Sequence, residues 1–244
     1  MNIISLQNLT KNYDSDDIVV HAIRGIDLNV KQGEFTAIAG PSGSGKTTLL
    51  NLIGGLDSPT SGTIAVAGET IDAFSPKELS DLRLRKIGFI FQAYNLIPVL
   101  SALENVEYVA LLQGIEKAER TERAVQILKD VGLGDMLHRL PNELSGGQQQ
   151  RVAVARAIVT EPELILADEP TANLDQATGA SLLDIMHDMN RSKKITFLFS
   201  THDPMVMERA ERLVNLRDGK IVSDKQKRKT KSQPKKSTRK RTSS

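Results

Sequence analysis

Cysteine and tryptophan are both missing from the 244 residues, and aromatic side chains make up only 4%. The first absence removes disulfides and thiolate metal sites, and it is compatible with a reducing compartment. No uncharged apolar run reaches the length of about 18 residues that a membrane-crossing helix needs. The opening Met1-Asn2-Ile3-Ile4-Ser5 has no basic region followed by an apolar core, the pattern of a secretory leader. The expectation is a soluble, cytoplasmic protein.

Acid is absent from one region. Residues 225–244 hold ten of the 32 Lys and Arg and no Asp or Glu, so residues 1–224 carry 22 basic against 30 acidic side chains, a net of −8 beneath an overall +2. Composition therefore divides an acidic globular body, 1–224, from a basic tail, 225–244. The tail is rich in Lys, Arg, Ser, Thr and Gln without an apolar run, so it has nothing to bury and is expected to be disordered. A merely solvated tail, attraction to an anionic membrane surface and attraction to nucleic acid all stay open.

The rest of the chain is long enough for a substantial core in one α/β body with an inserted subdomain. Ile3 to Tyr13 and Gly25 to Val30 read as strands of a small antiparallel sheet, and Thr63 to Ala67 as another. Ser75-Pro76-Lys77-Glu78 is a capping box with proline in the first helical position, which predicts a helix to about Lys86. Ile87 to Phe91, Leu164 to Ala167 and Ile195 to Ser200 read as buried strands, alternating with helical stretches such as Thr178 to Asn190. That alternation predicts a mostly parallel sheet covered on both faces. From Ala93 to about Thr160 the pattern is helical, with Ser101 capping one helix and Ala124, Val125, Leu128 and Val131 spaced along another.

One stretch carries the most chemistry. Gly40-Pro41-Ser42-Gly43-Ser44-Gly45-Lys46-Thr47 fits the phosphate-binding P-loop pattern at every specified position, between the apolar run Phe35 to Ala39 and the helical run that begins at Thr47 and Thr48. The glycines let backbone N–H groups approach phosphate oxygens at a helix N-terminus. Lys46 then neutralises the β- and γ-phosphates, and the Thr47 hydroxyl holds Mg²⁺. A Gly/Ser linker is the alternative, and the flanking strand and helix argue against it.

Two further constellations fit around a triphosphate. Asp168 ends a buried apolar run, where a P-loop fold places a second Mg²⁺-positioning acid, and the adjacent Glu169 is placed to orient the attacking water or take its proton. Ser145-Gly146-Gly147-Gln148 opens a helix and offers hydroxyl and amide donors to a phosphate. Alone it reads as an ordinary capping turn, and a lone His202 reads as a structural histidine. The neighbouring motifs turn both toward function.

Together these segments resemble the ATP-binding subunit of an ATP-binding-cassette transporter over residues 1 to about 222. The P-loop, a glutamine loop at Gln92, the signature Leu144 to Gln148, the strand and glutamate from Leu164 to Glu169, a D-loop at Ala172 to Asp175 and a switch histidine at His202 stand in the family's order. Tyr13 lies where the family stacks an aromatic on adenine. Within the family, Gly54 to Gly62, Gln148 to Arg151 and Ala167 to Leu174 look most like the lipoprotein-releasing and macrolide-export group.

The resemblance implies a RecA-like P-loop nucleoside-triphosphatase core with an antiparallel β subdomain and a helical subdomain at about 93–160. It implies ATP and Mg²⁺ as cofactors, with Glu169 and His202 catalytic and Thr47, Gln92 and Asp168 at the metal. Tyr13, Gly40 through Thr48, Gln92, Ser145 through Gln148 and Asp175 would contact nucleotide, the signature residues from a second copy paired head to tail. A separate FtsX-like permease on the inner membrane would be the other partner, used for lipoprotein release or for export of a small molecule or peptide. The competing expectation is a soluble cassette acting on nucleic acid or ribosomes; one cassette instead of two, no long heptad insertion and no cysteine metal site count against it.

Overall fold

A computed structural model describes residues 1–15 and 18–227. The first two strands, β1 (Asn2–Ser15) and β2 (Ile18–Lys31), form a long antiparallel hairpin. The second is much longer than the expected Gly25 to Val30. With β4 (Ser61–Val66) and β5 (Glu69–Thr70) they make an antiparallel sheet in the order β2-β1-β4-β5.

The second sheet has the order β10-β9-β3-β8-β7-β6. Its parallel strands are β3 (Phe35–Ala39), β6 (Ile87–Ile90), β7 (Leu164–Asp168), β8 (Thr196–Thr201) and β9 (Arg212–Arg217). The strand β10 (Lys220–Gln226) runs antiparallel at the edge. Between them lie α1 (Lys46–Ile53), α2 (Pro76–Lys86), α3 (Ala102–Leu112), α4 (Lys117–Asp130), α5 (Gly146–Ile158), α6 (Gln176–Lys193) and α7 (Pro204–Arg209). No helix among the described residues is long and apolar enough to cross a membrane.

Side chains alternate across the central sheet, which is why its strands are apolar throughout. Phe35, Ala37, Ile165, Ala167, Phe197 and Phe199 face one way and pack with α3, α4, α5 and α6. Ile38, Leu164, Leu166 and Leu198 face the other way, onto α1 and the inner face of the antiparallel sheet. The Phe35 ring lies 4.6 Å from that of Phe199. The capping boxes at Ser75 and Ser101 form as expected, each serine accepting from the N–H three residues on.

Two features differ from the sequence reading. The hairpin β9–β10 was not expected, although its turn has a local cause: Asp218 (φ 48°) and Gly219 (φ 73°) both sit in the left-handed region that an Asp-Gly turn supplies between alternating apolar strands. The body also extends past residue 224. Lys225 and Gln226 pair with Leu213 and Arg212, and the Lys227 ammonium donates to the carbonyls of Met207 (2.5 Å) and Glu208 (2.9 Å), so the ladder and the end of α7 hold residues assigned to the tail. The remainder of the tail, 228–244, lies outside the described residues.

Candidate active site

Strand β3 ends at Ala39 and α1 begins at Lys46, so residues 40–45 are the turn between a buried strand and a helix N-terminus. Gly43 (φ 77°) and Gly45 (φ 100°) occupy left-handed conformations. Gly45 caps α1 without a side-chain hydrogen bond, which leaves the first N–H groups of the helix available to an anion. Lys46 is 7% exposed, and its ammonium donates to the Gly40 (2.8 Å) and Pro41 (3.0 Å) carbonyls.

Gly40 is required by packing more than by phosphate. A Cβ there would lie 2.2 Å from the Leu216 carbonyl oxygen, so β9 closes against the start of the loop. Gly40→Ala is expected to destabilise the fold by about 1–3 kcal/mol, the usual scale of overpacking. Urea denaturation measures this; an unchanged midpoint would sink the account.

The carboxylates arrive from β7, which lies one strand beyond β8 from the P-loop strand β3. At the end of β7, the Asp168 carboxylate accepts from the Thr47 hydroxyl at 3.1 and 3.2 Å and from the Ser200 hydroxyl on β8. Glu169 follows with φ 45°, a strained value for a non-glycine residue, held by its N–H donating to the Ser200 carbonyl at 3.0 Å. Its carboxylate, 13% exposed, pairs with His202 Nδ1 at 2.7 Å, while the histidine is 69% exposed. The end of β8 thus presents His202 directly over Glu169.

Glu169, His202 and most of the P-loop border a cavity of about 1110 Å³. Pro41, Ser42, Gly43, Gly45, Lys46, Thr47 and Thr48 line one side of it, Gln92, Glu169 and His202 another, and Tyr13 a third. Gly40, Ser44 and Asp168 are not in its wall; Ser44 is buried, and its backbone carbonyl accepts from the Gly219 N–H at 3.1 Å. The sequence reading missed Asp218, Gly219, Val20 and His21, which also line the cavity. The Asp-Gly dipeptide was the signal for the first two. It also missed Ser200, which nothing in the sequence singled out.

The signature residues lie elsewhere: Ser145, Gly146, Gly147 and Gln148 are not among the residues lining the cavity. Ser145 caps α5, accepting from the Gln148 N–H at 3.3 Å, while the Gln148 side chain accepts from the Ser145 N–H at 2.8 Å. The glycines are needed by close packing, since a Cβ on Gly146 would lie 2.8 Å from the Tyr94 hydroxyl and one on Gly147 2.4 Å from a Thr178 methyl. Asp175 caps α6, accepting from the N–H groups of Ala177 and Thr178, both at 3.0 Å. Its hydrogen bonds with Thr178 hold this carboxyl below its ordinary pKa.

The segment from Gln92 is tied to the turn before α6 and to the last turn of α5. The Gln92 carbonyl accepts from the Asn173 side chain at 2.9 Å. Tyr94 (φ 54°) and Asn95 (φ 50°) are left-handed, and Arg156 of α5 donates to both of their carbonyls.

A phosphate cradle after a central strand, an acid pair at the end of the next strand but one and a Ser-Gly-Gly helix start in one chain define a narrow class, and a family model described as ABC transporter matches residues 23–172. The chain belongs to the ABC transporter family. It is an ATP-binding and ATP-hydrolysing cassette of that family. The cassette is 47% identical over 220 residues to the lipoprotein-releasing system ATP-binding protein LolD of Syntrophus aciditrophicus, covering 90% of this chain and 99% of that protein. It is 48% identical over 222 residues to the macrolide export ATP-binding/permease protein MacB of Hyphomonas neptunium, and it spans 34% of that longer protein. The dimeric post-hydrolysis structure of the ATP-binding cassette MJ0796 with ADP and Pi superposes with a TM-score of 0.86 at 41% identity, covering 93% of this chain and all of that one. The expected fold, a P-loop core with an antiparallel sheet and helices between the strands, is the fold found.

Proposed function

We propose that two copies of this cassette pair head to tail around two ATP molecules, and that closure and hydrolysis drive a separate FtsX- or MacB-like permease in lipoprotein release or export. The cassette then works peripherally on the cytoplasmic face of the membrane. The basic tail adds attraction to the anionic surface, and β10 directs it from the end of the sheet remote from the P-loop. The observation that carries the reading is the separation of Ser145 from the cavity. Each chain supplies a phosphate cradle, a base platform and an acid on one surface, and an unused helix start with a serine cap on another. The LolD and MacB relatives and the dimeric cassette named above support the same assembly.

In this reading Lys46 and the N–H groups of the P-loop bind the β- and γ-phosphates, and Tyr13 supports adenine. Thr47, Asp168 and Gln92 would hold Mg²⁺. The hard oxygen donors of Thr47 and Asp168 within 3.2 Å of one another suit that ion. Mg²⁺ held there would offset the negative charge of the phosphates. Glu169 orients the attacking water and takes its proton. With His202 Nδ1 engaged by Glu169, Nε2 is the nitrogen available to a γ-phosphate oxygen.

Ser145→Arg tests the shared site. The cation blocks docking of the partner's γ-phosphate, so ATP binding persists while hydrolysis falls on the order of 10²–10³-fold, the scale of losing oriented donors at a transition state. Mixing this variant with Lys46→Ala places both lesions in one composite site, and the other site is intact, so activity returns in the mixture. Normal hydrolysis by Ser145→Arg would overturn the head-to-tail assembly.

A further inference from the structure

Tyr13 lies near the end of β1, with its side chain 41% exposed. An exposed ring on a strand ordinarily samples several rotamers, and ordering it costs free energy when a ligand stacks on it. Here the ring is already held. The Tyr13 hydroxyl donates to Asp57 Oδ2 at 2.7 Å. Lys11, two residues earlier on the same face, donates to Asp57 Oδ1 at 2.6 Å and to the Ser58 carbonyl at 2.8 Å, and its ammonium stands 4.8 Å from the ring centroid.

The other end of the clamp is equally fixed. The N–H groups of Leu56 (2.8 Å) and Asp57 (3.3 Å) donate to the Asn51 carbonyl on α1, and the Ser58 N–H donates to Asp57 Oδ1 at 2.7 Å. Helix α1 is the element whose first turn carries Lys46 and Thr47. Burial, and next the neighbouring carboxylate, raise the Tyr13 pKa above its ordinary value, so the phenol keeps the proton it donates. Burial alone would raise Asp57, but the hydrogen bonds from Lys11 and Tyr13 outweigh it and keep the carboxylate charged.

We infer that Asp57, with Lys11, is a positioning residue for the nucleotide base: it locks the Tyr13 ring to the helix that holds the phosphates, so base platform and phosphate cradle form one preorganised unit. The inference rests on the reading of Tyr13 as the base-stacking side chain. It assigns a task to the loop after α1, whose residues are not among those lining the cavity.

The probes are MgATP and magnesium tripolyphosphate, which has the phosphates without the base, titrated calorimetrically into the full-length protein. Asp57→Ala is expected to weaken MgATP about three- to tenfold, the cost of ordering one freed aromatic side chain, and to leave tripolyphosphate affinity unchanged. Tyr13→Phe removes the same hydrogen bond without altering Asp57 and is expected to reproduce the loss, which keeps the test open if Asp57→Ala folds poorly. In a Tyr13→Ala background, Asp57→Ala adds nothing. Equal weakening of tripolyphosphate, or a full additional loss in the double variant, would overturn the inference, since Asp57 would then act on the phosphate loop. Wild-type MgATP affinity in Tyr13→Ala removes the base-stacking reading itself. A normal loss in Tyr13→Ala with none in Asp57→Ala or Tyr13→Phe overturns the clamp alone.

Discussion

Glu169→Gln keeps ATP bound and slows its hydrolysis by about 10²–10⁴-fold, the usual contribution of a positioned general base. The amide matches the carboxylate in shape, so the left-handed backbone at φ 45° and the hydrogen bond from the Glu169 N–H to the Ser200 carbonyl are undisturbed. The proton acceptor is lost. The carboxylate is 13% exposed and lies 2.7 Å from His202 Nδ1, and among the described residues the other carboxylate in the cavity wall is Asp218, on the β9–β10 turn. Because closure precedes hydrolysis, the variant accumulates an ATP-bound dimer, which size-exclusion chromatography detects as a doubling of apparent mass. Wild-type turnover by Glu169→Gln would show that another group activates the water.

Lys46→Ala acts one step earlier and removes nucleotide binding. The ammonium is nearly buried at the base of the P-loop and is the only lysine among the described residues lining the cavity, so in the variant a polyanion meets the P-loop dipoles without the cation seated among them, and Arg24 is the cation left in the cavity wall. A loss on the order of 10²-fold or more is expected, as for one partner removed from a desolvated charge pair. The Gly40 and Pro41 carbonyls also lose their donor, so a thermal melt of the free protein separates local loop damage from lost affinity. Titration of a fluorescent ATP analogue at modest salt measures the binding. Near-normal affinity with an unchanged melt would refute the P-loop assignment.

These variants touch residues whose importance was visible in one dimension. The P-loop, Asp168-Glu169 and the serine-capped helix starts are local devices: glycine conformations, a helix cap and an acid after an apolar run are set by residues a few positions apart, so short-range chemistry in the sequence reveals them. The alternation of apolar strands with helices likewise prescribes a covered, mostly parallel sheet. The basic tail is a matter of composition alone.

Other features depended on contacts between distant residues. Asp57 reads as part of a turn until β1 brings Tyr13 and Lys11 against it, 44 and 46 positions away. Ser200 reads as a strand residue until β7 and β8 pair in parallel and set it beside Asp168. Gly40 reads as a phosphate glycine until β9 crosses it, and Asp218 and Gly219 enter the cavity wall only because that strand and β10 fold back over the P-loop. The separation of Ser145 from the cavity was also decided in three dimensions, because strand order and helix packing, which no local propensity encodes, determine which surfaces of the chain share a site.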